Sequence, residues 1–347
     1  MIRNIDVGKI RSRAPLRLGL AGGGTDLAPF CDQFGGAVLN VTIDRFAFAS
    51  CTAREDGKVV FEADDLGISE EWIPGAARST RLKLHQGVYD RMIRDFNDSQ
   101  PIPMTLRTTV DAPAGSGLGS SSALVVALVD AIRECVNAPL GVYDVAHLAF
   151  EIERIDLGLS GGRQDQYAAA FGGINFIEFL AHDRVVVNPL RARRSVICEL
   201  ESSIVICFSG QSRESASIID QQQRAMTELS GPAIDALQKL KQDAMDMKQA
   251  LTIGDIDSMS EILSSSWRAK KTTARAITNP RIEQLLDVAL SNGALSGKVS
   301  GAGGGGFMFF LVHPENRHRL IEALNRAEGN ADTVKFTENG CETWRFR

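Results

Sequence analysis

The chain is poor in the features that would place it in several common classes. Over its 347 residues no apolar run approaches the ~20 residues that a membrane-spanning helix needs, so no span and no membrane partner are expected. Positive charge is not in excess. Its 38 Lys and Arg against 43 Asp and Glu leave a formal net charge of −5, which argues against a nucleic-acid partner. A local basic pocket for a phosphorylated small molecule remains compatible with that balance. The six cysteines (Cys31, Cys51, Cys135, Cys198, Cys207 and Cys341) stand apart, with no CxxC pair and no histidine cluster nearby. They read as reduced thiols of a cytoplasmic protein rather than as a disulfide scaffold or a metal knuckle. Residues 1–13 are charged throughout and lack the apolar core of a signal peptide.

What is present is an ordinary globular composition, 44% apolar and 23% charged, in a chain long enough for about two domains. The basic cluster Arg191 to Arg194 lies between two strand-like runs and marks the expected crossing, giving domains 1–190 and 191–347.

The organising stretch is Pro113-Ala114-Gly115-Ser116-Gly117-Leu118-Gly119-Ser120-Ser121-Ser122-Ala123. It follows a strand-prone run, Met104 to Val110, and opens into Ala123 to Val136, apolar almost all round and read as a buried helix. Glycines let a ligand approach the backbone, and a helix N-terminus adds about half a positive charge, so the arrangement suits an anion such as a triphosphate. A Walker A loop would need Gly-Lys-Ser/Thr, and no lysine stands here. A Rossmann fingerprint would need Gly or Ala where Ser120 sits. A plain serine-capped helix would require neither Gly117 nor Gly119.

Ile10 to Leu20 alternates like a strand, with Leu16, Leu18 and Leu20 on one side and Arg17 and Gly19 on the other. It runs into Ala21-Gly22-Gly23-Gly24-Thr25-Asp26, where a small polar ligand could sit against the backbone and Asp26 could accept sugar hydroxyl protons. Capping of a short turn through Phe34 by Thr25 or Asp26 is the alternative. Helical patterns cover 77–96 and 143–156. His85 in the first reads as a half-buried packing residue. The second carries Glu151 and Glu153 and breaks at a glycine-rich loop leading to Arg163-Gln164-Asp165. A glutamate at a helix end, a glycine loop and an aspartate about a dozen residues later suit metal-assisted phosphoryl transfer: one carboxylate offers Mg²⁺ a hard oxygen, the other faces the attacking hydroxyl.

In the second half, residues 214–249 are helix-prone with few apolar positions and are expected as an exposed helix. A further helix, Asp255 to Lys271, ends in Lys270 and Lys271, which suit the helix C-terminus or a substrate phosphate. Lys298-Val299-Ser300-Gly301-Ala302-Gly303-Gly304-Gly305-Gly306-Phe307 then puts five glycines in six residues before the strand Met308 to Val312. A linker would not be bracketed by apolar strands.

Taken together, the Pro-x-x-x-Gly-Leu-Gly-Ser-Ser pattern, Ala14-Pro15-Leu16-Arg17 with Gly-Gly-Gly-Thr-Asp, and the last glycine loop resemble the three motifs of the GHMP kinase superfamily, in order and across most of the chain. Gly-Gly-Gly-Thr-Asp replaces the Gly-Glu-His-Thr-Asp of galactokinases, which points to the subgroup acting on heptose phosphates and fucose-like sugars. The resemblance implies an α+β, two-domain GHMP kinase fold, with an N-terminal ribosomal protein S5 domain 2-like domain and a C-terminal ferredoxin-like α/β domain.

It further implies ATP and Mg²⁺ as cofactors, and phosphorylation of D-glycero-D-manno-heptose 7-phosphate at the anomeric hydroxyl, for nucleotide-activated heptose used in surface polysaccharides. A free-sugar kinase of fucose type and a non-catalytic sugar sensor are the alternatives. By the same resemblance Gly115, Ser116, Gly117, Leu118, Gly119, Ser120 and Ser121 bind the nucleotide. Ser121 and Glu153 hold the metal, with Glu151 a second candidate. Asp165 and Arg17 are catalytic. Gly23, Gly24, Thr25, Asp26, Arg163, Gln164, Gly303 and Gly304 face the sugar. A 7-phosphate requires cations, and Arg78, Arg81, Lys83, Arg193, Lys270 and Lys271 are the candidates. A homodimer is left open.

Overall fold

The computed structural model describes residues 9–74, 80–211, 215–226 and 231–346. Two sheets organise it. The larger contains β1 (Lys9–Ala21), β2 (Gly36–Ala53), β3 (Val59–Ala63), β4 (Ile68–Trp72), β5 (Met104–Val110), β6 (Ile174–Phe179) and β7 (Val185–Pro189). The long β2 lies antiparallel to β1 and divides its other edge, pairing β6 along its first half and β5 along its second. The smaller sheet runs in the order β11 (Asn330–Asp332), β8 (Ile204–Phe208), β10 (Phe307–Val312), β9 (Ala294–Val299). The last strand, β12 (Glu342–Phe346), returns to pair with β1 in the larger sheet, a long-range closure with no local signature in sequence.

The first sheet is covered by α2 (Lys83–Phe96), α3 (Ser120–Val136), α4 (Val142–Glu151) and α5 (Gln164–Phe171); a short α1 (Phe30–Phe34) follows β1. Helix α3 is central, packing on β1, β2, α2, α4 and α5, which is why its apolar residues run all round rather than in one stripe. After α4 the backbone widens into a π turn, Ile152–Asp156, a distortion that often marks a functional position; here it turns Glu153 fully inward.

Beyond α6 (Arg194–Ser203) and α7 (Ser215–Ala225), α8 (Pro232–Ile253) and α9 (Ile256–Thr273) pair with each other, α8 touching β1 and β2 and α9 touching β9. The expectation of one exposed helix over 214–249 is corrected here. The chain divides into α7 and α8, and Leu237, Leu240, Ala244, Met247 and Leu251 of α8 are buried. Those few apolar residues recur every three to four positions, so a sparse composition still supplies one complete buried face. Glu214 itself lies outside the described residues. Helices α10 (Pro280–Ser291) and α11 (Arg317–Arg326) close a second core against the small sheet. Asn279 caps α10 by accepting from the Ile282 N–H at 2.9 Å, with Pro280 at its first position.

His85 is fully buried, its Nε2 2.9 Å from the Thr108 hydroxyl, and burial brings its pKa down to about 4. It packs beside Phe61 as a neutral ring. Among the described residues no helix is long and apolar enough to cross a membrane.

Candidate active site

Three glycine-bearing segments meet between the two sheets. β1 is tied to the loop before α3 by Arg17 N–H donating to Leu118 O at 3.0 Å. The loop before β10 is tied to it by Phe307 N–H donating to Ser116 O at 2.7 Å. Gly117 is where the two loops touch. Its φ is +78°, and a Cβ there would stand 2.4 Å from Ser300 O. Only glycine satisfies both the left-handed backbone and the close approach.

This junction lines a cleft of about 560 Å³, whose walls include Gly115, Gly119, Ser121, Glu153, Asp165 and Gly301. Ser116 and Leu118 are fully buried, so the loop offers its backbone and Ser120 and Ser121 line the opening. The start of α3 adds its dipole there. The Ser121 hydroxyl donates to Glu153 Oε1 at 2.8 Å, and Gln166 Nε2 holds Oε2 at 2.5 Å. Glu151 is elsewhere, bound by Arg91 at 2.6 Å, so of the two glutamates only Glu153 reaches the cleft.

Asp165 sits in the first turn of α5. Arg17 grips its Oδ1 through Nε at 2.8 Å and Nη2 at 2.5 Å, and sends Nη1 to Gly117 O at 2.7 Å. Among the described residues no protein donor bonds Asp165 Oδ2, and Asp165 lines the cleft.

Asp26 lines the adjoining pocket with Gly23, Gly24 and Gln164, but its oxygens are already occupied. Oδ1 accepts from Gly24 N (3.1 Å) and Gln164 Nε2 (3.0 Å), Oδ2 from Arg163 N (3.0 Å) and Gln164 N (3.2 Å). Four donors fill a carboxylate's roughly four lone-pair sites, so Asp26 clasps the start of α5 to the loop after β1. Its capping therefore concerns α5 and not the short turn through Phe34, where neither Thr25 nor Asp26 caps α1.

Some expected residues face elsewhere. Thr25 is fully buried, its hydroxyl bound to Gly22 O and Ala37 O, because the chain reverses there between β1 and β2. The Arg163 guanidinium points away to Asp32 and Asp183. Gly303 and Gly304 pack on Ile277 instead of the cleft, and Gly301 and Ala302 take their place. Of the proposed distal cations, Arg81 pairs with Glu70, Lys83 is exposed, Arg193 bonds Ile253 O and Lys271 bonds Glu283; Arg78 lies outside the described residues. Only Lys270 enters the site, donating to Gly301 O.

Lys298 joins it there, a residue the sequence reading quoted within a motif but gave no role. Burial, then the neighbouring Arg17, brings the Lys270 pKa down to about 8 against the pull of Asp26 and Asp165. Burial, with Lys270 and Arg17 nearby, also pushes Lys298 well down. No local signal marked it, since Gly297, Lys298 and Val299 of β9 are all buried and no alternation singles the lysine out.

The group Ser121 and Glu153 fits a hard divalent cation in donor chemistry: a buried carboxylate and a hydroxyl on the wall of the cleft. Among the described residues no group of three or more His, Cys, Asp or Glu side chains is placed to hold a metal ion by itself. Mg²⁺ bound to a nucleotide requires no such cage, because water and phosphate oxygens complete its shell.

Comparison with known proteins identifies the family and the fold. Residues 83–173 match the model of the GHMP kinases N terminal domain and residues 247–331 that of the GHMP kinases C terminal domain. The chain is 43% identical, over 97% of its length and 99% of the relative's, to D-glycero-alpha-D-manno-heptose 7-phosphate kinase of Campylobacter jejuni. A crystal structure of a D-glycero-D-manno-heptose 1-phosphate kinase from Bacteroides thetaiotaomicron superposes with a TM-score of 0.83 at 40% identity, covering 97% of this chain and 99% of that one. The bifunctional fucokinase/GDP-fucose pyrophosphorylase of Arabidopsis thaliana is 26% identical over 92% of this chain, which spans 31% of that protein.

Proposed function

This chain belongs to the GHMP kinases and is a sugar kinase, and from that premise we propose that it uses ATP to phosphorylate the anomeric hydroxyl of D-glycero-D-manno-heptose 7-phosphate. The observation that carries the reading is the opening of Asp165, Ser121 and Glu153 onto one cleft beside a glycine-rich anion cradle. In this reading the halves 1–190 and 191–347 meet at that cleft, and the 1,7-bisphosphate supplies nucleotide-activated heptose for surface polysaccharide.

The loop from Gly115 to Ser121 aims backbone N–H groups and the α3 dipole at the nucleotide phosphates. Asp165 Oδ2 receives the acceptor hydroxyl and takes its proton as the bond to phosphorus forms. Arg17 fixes the carboxylate through Oδ1 and so orients Oδ2. An anomeric hydroxyl is more acidic than an ordinary alcohol, so with a loose transition state positioning outweighs base strength. Ser121 and Glu153 are the residues that would hold Mg²⁺, which when bound neutralises charge on the transferring phosphate.

The test is ADP release across heptose, its 7-phosphate, its 1-phosphate and L-fucose. Preference for the 7-phosphate supports the proposal. Preference for L-fucose would assign the free-sugar activity, and binding without ADP release would assign a sensor.

A further inference from the structure

Beside the large cleft, and sharing Arg17, Asp165 and Gly301 with it, lies a side pocket of about 60 Å³. Lys270 and Lys298 line it, each 4% exposed. Neither has a carboxylate within ion-pair distance among the described residues. The nearby acids are committed: Asp165 to Arg17, Asp26 to its four donors, and Asp243 to Lys239 and Ser266. Among the described residues the Lys270 ammonium bonds only the carbonyl of Gly301, and the Lys298 ammonium makes no hydrogen bond, lying 5.8 Å from the Phe309 ring centre. Two buried, like-charged groups without a carboxylate partner are costly to hold, and the fold brings these two to one pocket from two different elements, α9 and β9. Gly23 lies against the same group, the position of a Cβ there being 3.6 Å from Lys270 Nζ.

We propose that Lys270 and Lys298 form the receptor for the phosphate already carried by the acceptor sugar, so that the enzyme selects phosphorylated over free sugars. This deepens, and rests on, the reading of the cleft as a sugar-phosphate kinase site. An incoming phosphate supplies a counter-charge to both ammonium groups. The transferred phosphate of the nucleotide shares this chemistry, and the two sources separate by which substrate the lysines serve.

The experiment compares wild type, Lys270→Met and Lys298→Met by ADP release on two pairs, heptose with heptose 7-phosphate and mannose with mannose 6-phosphate. The wild type should favour the phosphorylated member, and each variant should lower that preference in kcat/KM at least tenfold through the acceptor KM. A preference kept within twofold overturns the proposal. So does a loss that falls equally on both members or on the KM for ATP, which assigns the lysines to the transferred phosphate. Turnover of mannose 6-phosphate but of neither heptose would end the heptose reading and leave this one standing; preference for the free sugars would do the reverse. Calorimetric binding to the wild type without ATP guards against variants that fail to fold: the sugar phosphate must bind at least ten times more tightly than the free sugar, and equal affinity refutes the assignment.

Discussion

Arg17 Nε lies 2.8 Å from Asp165 Oδ1 across 148 residues of sequence, and the same guanidinium holds the carbonyl of Gly117 at 2.7 Å. One side chain thus fixes the position of the Asp165 carboxylate relative to the glycine loop before α3. Losing it removes an orientation as well as a charge.

Asp165→Asn keeps the shape of this pair and removes the proton acceptor. Turnover should fall by about 10²–10⁴, the range of general-base contributions, with the KM for ATP nearly unchanged. Steady-state kinetics at saturating acceptor measures it, and near-wild-type kcat would take Asp165 out of the chemistry. Arg17→Met should cost at least as much, because it also releases the Gly117 carbonyl.

Glu153 is fully buried and meets the cleft beside the Ser121 hydroxyl. Glu153→Gln and Ser121→Ala should therefore raise the Mg²⁺ concentration needed for half-maximal activity by about tenfold, while the acceptor KM moves little. An unchanged magnesium titration in both variants contradicts the assignment.

Gly117→Ala places a Cβ 2.4 Å from Ser300 O at φ +78°. The left-handed backbone alone costs about 1–2 kcal/mol, and the clash forces the two glycine loops apart. ATP binding should weaken by at least tenfold. Gly57→Ala has a similar φ of +75° but no neighbour within 4 Å, so it should show the backbone cost in thermal unfolding and leave ATP binding intact. Equal behaviour of the two would mean that the loop contact is unimportant.

His85 titrates near 4 in the fold against about 6.5 unfolded, because burial disfavours its charged form. The folded state therefore binds fewer protons. Its contribution is complete above pH 6.5, declines as pH falls toward 4, and totals about 3 kcal/mol over that window. Denaturant unfolding at pH 7, 5.5 and 4.5 should show a shallower decline in His85→Gln than in wild type; parallel declines would contradict the linkage.

The parts of this protein legible in sequence were those written in contiguous patterns. β5, the glycine loop and α3 follow from alternation, glycine spacing and an apolar run, and Asp165 from its place after a glycine-rich break. What escaped depended on distant partners. Nothing local tells that β12 will pair with β1, or that Asp26 will spend its lone pairs on the start of α5. Thr25 and Arg163 carry the right chemistry, but chain reversal and Asp32 turn them away. Conversely, Lys298 stood at the head of the last glycine loop without a role, and the smaller sheet brings it to the pocket that Lys270 lines. The shift from Gly303 and Gly304 to Gly301 and Ala302 has the same origin: a run of glycines has no side chains to say which of its members meets the ligand, and contact with Ile277 decides it.

The most direct test of the whole account is the NMR spectrum of the product formed from ATP and heptose 7-phosphate. The account predicts a new phosphorus resonance coupled to the anomeric proton, with the original C7 phosphate retained. A new phosphate on any other carbon, or ATP left unconsumed by fully folded enzyme in the presence of Mg²⁺, would contradict it.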